Sequence, residues 1–211
     1  QVPAAQQPAG VPAQVGQLPA NPPAAANPAT PANPAAAQAA PAKVEIVRET
    51  YPDGQLKIER TVYRDAAGGL INHGLWTMYA PNGAKIGFGN MSHGKRTGHW
   101  VRTIAQYESP LFQDGPLSQH QGPYTSEADF TDGEINGIWT IKSGNGTLIA
   151  AWGFGNGKQN GDWFWYSGGG RPEFRAQYVA GKQHGLAEYF DGNGRVAESK
   201  NFIDGRELVR Q

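Results

Sequence analysis

Cysteine is absent from this chain of 211 residues, which excludes disulfides, thiol nucleophiles and thiolate metal sites together. Net charge is absent too. Eighteen Lys and Arg balance 18 Asp and Glu, so nothing here holds a nucleic acid or an anionic membrane by broad electrostatics. Charged residues make up only 17% of the chain, against 29 Gly and 16 Pro, which describes a polar, turn-rich surface of low charge density. No uninterrupted apolar run reaches the roughly 18 residues that a transmembrane helix needs. Methionine is missing from position 1. The chain opens on Gln1, and the expectation is an exported protein, periplasmic or extracellular, whose signal peptide has been removed.

Residues 1–42 lack charge and aromatic side chains altogether, and contain 10 Pro and 16 Ala. Proline every few residues forbids a continuous helix or strand ladder. The segment is expected to be extended and polyproline-II-like, a semi-rigid spacer of roughly 3.1 Å per residue. Two uses remain open for it: a tether, or an arm that threads along partners through Pro22, Pro23, Pro28, Pro31 and Pro34.

At Lys43 the composition changes. All 22 aromatic residues and 27 of the 29 glycines follow it, in a frame that recurs. Copies start with a glycine at 74, 98, 137, 161 and 185, spaced by 24, 39, 24 and 24 residues, so the second copy carries 15 extra residues. Two positions after the starting glycine stand Trp76, Trp100, Trp139 and Trp163, with Ala187 in the last copy. Nine positions after it stand Gly83, Gly146, Gly170 and Gly194; at twenty stand Gly94, Gly157, Gly181 and Gly205, each followed by Lys or Arg. Residues 43–73 read as a degenerate first copy turning at Pro52-Asp53-Gly54. Repetition at such a period sets the architecture.

One β-hairpin per copy satisfies the pattern. Asn-Gly offers the positive φ angles of a tight hairpin turn, and the strands before and after it alternate. Trp76 with Met78, Trp139 with Ile141 and Trp163 with Trp165 then share a face. An isolated hairpin cannot bury such a face, so neighbouring copies must stack. Equivalent tryptophans fall two strand spacings apart, about 9.5 Å, which makes a continuous aromatic row. The expected fold is all-β: an elongated antiparallel sheet of repeated hairpins over 43–211, with copies near 43, 74, 98, 137, 161 and 185, preceded by the extended arm. The 15-residue excess maps to about 104–125, where Tyr107, Phe112 and Tyr124 suggest a loop that docks a partner, since insertions in repeat arrays gather on one face.

On the segments HGLWTMYAPNGAKIGFGNMSHGKRTGHW and HGLAEYFDGNGRVAESKNFIDG, with their G-x-W-x-x-Y, N-G and Gly-Lys/Arg exits, the chain resembles MORN-type repeats. The likeness is to the bacterial variant often labelled as an antitoxin component of toxin–antitoxin pairs. The resemblance covers about 43–211. It implies antiparallel hairpins in an elongated sheet, and roles in scaffolding, dimerisation or association near membranes, without a shared catalytic centre. Ala187, the long second copy and the irregular first copy depart from the pattern.

No catalytic residue, metal site or cofactor is expected. His73, His93 and His184 sit at turns between copies, and without Cys they do not assemble the three or four convergent ligands that a metal requires. Asp191-Gly-Asn-Gly and Thr131-Asp-Gly-Glu lack the remaining ligands of a calcium loop. The row Trp76, Trp100, Trp139, Trp163, Trp165 and Tyr166 reads either as packing on one side of the sheet or as an open platform for sugars or Pro-rich ligands. Its densest part is Trp163, Trp165 and Tyr166. The resulting expectation is a non-catalytic structural or accessory subunit binding other proteins, itself a homo-oligomer or part of a membrane complex, with a carbohydrate-binding module and an antitoxin-like protein as alternatives.

Overall fold

The computed structural model describes residues 41 and 43–209. The five arm prolines named above lie outside the described residues. The chain from Glu45 onwards builds one sheet of 14 antiparallel strands. In order these are β1 (Glu45–Thr50), β2 (Leu56–Arg64), β3 (Leu70–Tyr79), β4 (Lys85–Ser92) and β5 (Lys95–Ile104). After the insertion come β6 (Tyr124–Thr131), β7 (Glu134–Ile135), β8 (Gly137–Lys142), β9 (Leu148–Gly155) and β10 (Lys158–Tyr166). The array closes with β11 (Pro172–Val179), β12 (Lys182–Phe190), β13 (Val196–Ile203) and β14 (Arg206–Glu207). Every strand pairs with the next in sequence, except that β6 pairs with both the short β7 and β8. The sheet is open, and β1 carries the charges Glu45, Arg48 and Glu49 on its edge, which disfavours pairing with another edge.

Two kinds of turn alternate, and they divide the work differently from the sequence expectation. At the Asn-Gly turns only the glycine has positive φ: Gly83 lies at 79° and its N–H donates to the Ala80 carbonyl at 2.9 Å. Asn82 keeps negative φ and accepts the Ala84 N–H on its side-chain oxygen at 3.1 Å. A one-residue bulge beside Tyr79 completes a three-residue loop of the type I plus bulge kind. The two-residue turns with both φ positive are the exits between copies, such as His93 (48°) and Gly94 (82°), where Ser92 faces Lys95. Asp132, Asn156, Ala180 and Asp204 take the His93 position at the other exits, with φ between 49° and 52°.

Each copy's starting glycine is a bulge. Around Gly161, for example (φ 87°), Gln159 pairs with Phe154 and Trp163 with Trp152, so three residues of β10 face the single Gly153. The bulged backbone is pressed against that glycine: a Cβ on Gly153 would lie 2.2 Å from the Asn160 carbonyl oxygen. The bulge re-aims the following tryptophan, whose indole N–H reaches across; that of Trp163 donates to the Gly153 carbonyl at 2.9 Å. Gly89 has the matching role for Trp100, whose ring would lie 2.2 Å from an added Cβ.

The register puts the repeat tryptophans on one face. Trp76 opposes Gly89, Trp100 opposes Ala128, Trp139 opposes Trp152 and Trp163 opposes Ala176. The opposite face is polar, with Arg48 paired to Glu59, Lys142 to Glu127 and Arg175 to Asp162. The buried core is concentrated in the later copies, in a cluster that includes Ile141, Ala150, Trp152, Trp163, Trp165, Phe174, Ala176 and Ala187.

Candidate functional site

The insertion is not a free loop. It folds as a short turn of 3-10 helix at Gln106–Glu108 and one helical turn, α1 (Pro110–Gln113), capped by the Ser109 hydroxyl, which accepts the Leu111 N–H at 3.3 Å. It then returns over the tryptophan face. Phe112 stacks on Tyr124 with ring centroids 3.9 Å apart and planes 10° from parallel. Phe112, Leu117 and Tyr124 join the same buried cluster as Ile141, Trp165 and Phe174. Phe112 and Tyr124 were expected to dock a partner; at 1% and 0% exposure they are instead core residues of this chain. Tyr107, 80% exposed, is the one residue of the three that faces solvent.

The expected focus of an aromatic platform also moves. Trp163, Trp165 and Tyr166 are buried, at 6%, 4% and 3% exposure. Trp163 is walled in by Trp152, Phe154 and Tyr178, with ring centroids 5.1–5.4 Å away. Burial pushes the Tyr166 and Tyr178 phenols up to about 12, helped at Tyr178 by Tyr189. Tyr124 is raised for the same reason of lost hydration. His120 is buried beside it, and the Tyr124 hydroxyl donates to the His120 carbonyl at 2.7 Å. Desolvation holds the His120 imidazole below its usual range, against smaller upward pulls from Glu173 and from a hydrogen bond with the Tyr166 backbone. Its Nε2 has no hydrogen-bond partner among the described residues, and neither do the indole N–H groups of Trp152 and Trp165.

What remains open is the earlier half of the row. Trp76, Trp100 and Trp139 are all half-buried. They border a groove of about 450 Å³ whose lining also includes Met91, Phe130, Ile135, Ala128, Ser126, Arg96 and Arg102. Two features of the sequence make it a groove. Small residues stand opposite Trp76 and Trp100: Gly89 lets the Trp100 ring fold down over it, and Ala128 keeps the groove floor low. The insertion covers only the far end of the row. The Trp76 and Trp100 rings lie 5.5 Å apart, tilted by 35°, and Phe130 meets Trp100 edge-on at 6.2 Å. The Arg96 guanidinium sits over both Trp100 (5.1 Å) and Phe130 (5.2 Å), an arrangement that rigidifies the wall and places cationic donors at the rim. Arg102 is held by Glu108, which ties the groove to the insertion.

Sequence reasoning did not single out Trp152, although its position fifteen after Gly137 places it directly across from Trp139. It did not find the Arg96 stack or the core roles of Leu117 and His120 either. The turn histidines His73 and His93 come together, ring centroids 4.7 Å apart, with Tyr63 against both. Among the described residues no three His, Asp or Glu side chains are grouped so as to hold a metal ion. No helix among them is long and apolar enough to cross a membrane. Compared with family models and with curated proteins, the chain matches none, so its likeness to MORN-type repeats rests on the residues quoted above.

Proposed function

We propose that this protein is a non-catalytic scaffold or accessory subunit of an exported assembly, and that it binds partner proteins through the open aromatic groove of the copies starting at Gly74, Gly98 and Gly137. One observation carries this reading. The same row of side chains is sealed at one end by the chain's own insertion and left half-buried at Trp76, Trp100 and Trp139, with Ala128 on the groove floor. Half-buried indoles with arginine at the rim are the side chains enriched at protein interfaces. Tyr107, on the insertion, is exposed as well. The likeness to MORN-type repeats supports the assignment to scaffolding.

Native purification of the protein with whatever binds it, repeated with the double variant W76A/W100A, tests the reading. The expected result is loss of the co-purifying protein with an unchanged circular dichroism spectrum. Retention of that protein at full occupancy refutes it. The tilted indole pair at 5.5 Å also suits the flat face of a sugar ring, which supports carbohydrate binding as the second reading. Titration of tryptophan emission with glycan fragments separates the two, and a flat response ends the second.

A further inference from the structure

The face that carries Trp76 is ordered by charge as well as by rings. Register sets three rows of side chains across β1 to β5. The first runs Glu49, Ile58, Met78, Gly87 and Arg102. The second runs Val47, Arg60, Trp76 and Gly89, with the Trp100 ring lying over that glycine. The third starts at Glu45 and Val62, passes the bulge at Gly74, and ends at Met91 and Arg96. Paired residues share a face, and a Cβ on Gly87 would lie 3.2 Å from the Arg102 side chain and 3.7 Å from that of Met78. Two rows therefore begin on a carboxylate at β1 and end on an arginine at β5. Strand β3 stands midway between them.

We propose that this face is closed by a second copy of the chain, related to the first by a two-fold axis along β3. Rotation about that axis lays the second copy's β1 over β5 and its β5 over β1, row upon row. Glu49 then meets Arg102 and Glu45 meets Arg96, and each contact occurs twice, as an isologous interface requires. On the axis, Met78 and Trp76 meet their own equivalents, and Val47 meets Trp100. An axis across the strands would instead set each strand on itself, with Glu45 against Glu49 and Arg96 against Arg102, so the charges select the orientation. Arg96 touches only the rings of Trp100 and Phe130 and is ion-paired to no carboxylate among the described residues. Glu45 and Glu49 are held by Arg64 and Arg60 at 2.9 and 3.0 Å, and each carboxylate has further lone pairs for an incoming guanidinium. The twist of a sheet is unchanged by rotation about one of its own strands, so the two faces follow each other outward. Five strands of six to ten residues span about 24 Å by 29 Å, or ~700 Å² per copy, close to the about 800 Å² per partner of a stable interface. The insertion does not obstruct this. It leaves from the end of β5 and packs on Ile141, Trp165 and Phe174, beyond the edge at which the second copy's β1 would end. The inference rests on the proposed reading of this face as an interface, and names its occupant.

Charge exchange tests it. In the full chain, E45K/E49K sets Lys against Arg across the axis, and R96E/R102E sets Glu against Glu. The wild type should sediment as a dimer and each variant as a monomer. An equimolar mixture of the two variants should sediment as a dimer, because both of its contacts are again of opposite charge. The absence of cysteine allows a second measurement that leaves these charges in place. Met78→Cys, on the axis, should be joined to its equivalent by bismaleimidoethane. Leu75→Cys, on the opposite face and 52% exposed in the wild type, should not. A mixture that stays monomeric overturns the proposal, as does equal cross-linking at the two positions. A monomeric wild type that still carries another protein, lost from W76A/W100A, overturns it too and leaves the scaffold reading standing.

Discussion

Phe112→Ala should detach the insertion while leaving the sheet standing. A phenylalanine buries about 150–250 Å², and Phe112 is only 1% exposed. At about 25 cal/mol per Å² that is about 4–6 kcal/mol, reduced to about 3–4 for an unfolded chain that is itself partly compact. The parallel stack on Tyr124 adds about 1 kcal/mol. The expected cost is therefore about 4 kcal/mol, within the range of large-to-small core substitutions. It falls on a unit whose other deep anchors are Leu117 and His120, tied to the sheet by Gln119 to Glu173 at 2.8 Å and by Gly144 N–H to the Gln121 carbonyl at 3.0 Å, and whose helix α1 is a single turn. The sheet beneath does not need the loop, because β5 and β6 pair without interruption from Ile104–Tyr124 to Gly98–Phe130. Release of the loop exposes Trp165 and Phe174. Acrylamide quenching and the wavelength of tryptophan emission should both rise, with the far-ultraviolet circular dichroism preserved. The control lies in the same loop. Tyr107→Ala, at 80% exposure, should change stability by less than about 0.5 kcal/mol. An F112A protein whose quenching and urea midpoint match those of Y107A would refute this account of the insertion.

Ala180 holds φ at +50° in an exit turn, where an L-residue with no local hydrogen bond costs about 1–2 kcal/mol; Ala180→Asn, matching Asn156 in the preceding exit, should raise the urea midpoint, and a lower one counts against the turn assignment. Gly153→Ala places a Cβ 2.2 Å from the Asn160 carbonyl in the bulge, so it should destabilise more than the about 1 kcal/mol typical of point changes, whereas alanine at Gly192, with open space around it and negative φ, should be nearly neutral; equal denaturation midpoints for the two refute the bulge packing. His120 has its folded pKa below the ordinary 6.5, so as pH falls through about 6.5 the unfolded chain binds the proton first and stability declines, levelling off only below the folded value. Thermal melts across that window should show the decline, and His120→Gln should flatten it; an unchanged profile removes His120 as its source.

How much of this was legible beforehand follows from the range of each interaction. The hairpin repeat, the shared tryptophan face and the place of the insertion are periodic or local properties: spacing two residues apart fixes a strand face, and a glycine every copy fixes a turn. They stand in the sequence because each copy states them again. The turn types were misassigned because Asn82 and His93 are both plausible at positive φ, and only the backbone path shows that Asn82 spends its side chain on Ala84 instead.

By itself, then, the sequence determined a stack of two-stranded units with an aromatic row on one face, though not its pitch: the Trp76 and Trp100 rings close to 5.5 Å because the Trp100 indole folds over Gly89. It also determined an uncharged proline-rich arm in front of that stack. The tertiary structure decided which half of the row is core and which half is surface. That choice depends on a contact no spacing encodes: the insertion closes back over the tryptophan face, and Phe112 meets Tyr124, twelve residues along the chain, as a stacked pair. Burial is a property of the whole covering layer rather than of any one residue's pattern. Trp163 and Trp100 hold the same place in their copies, yet one is sealed among rings and the other borders an open groove.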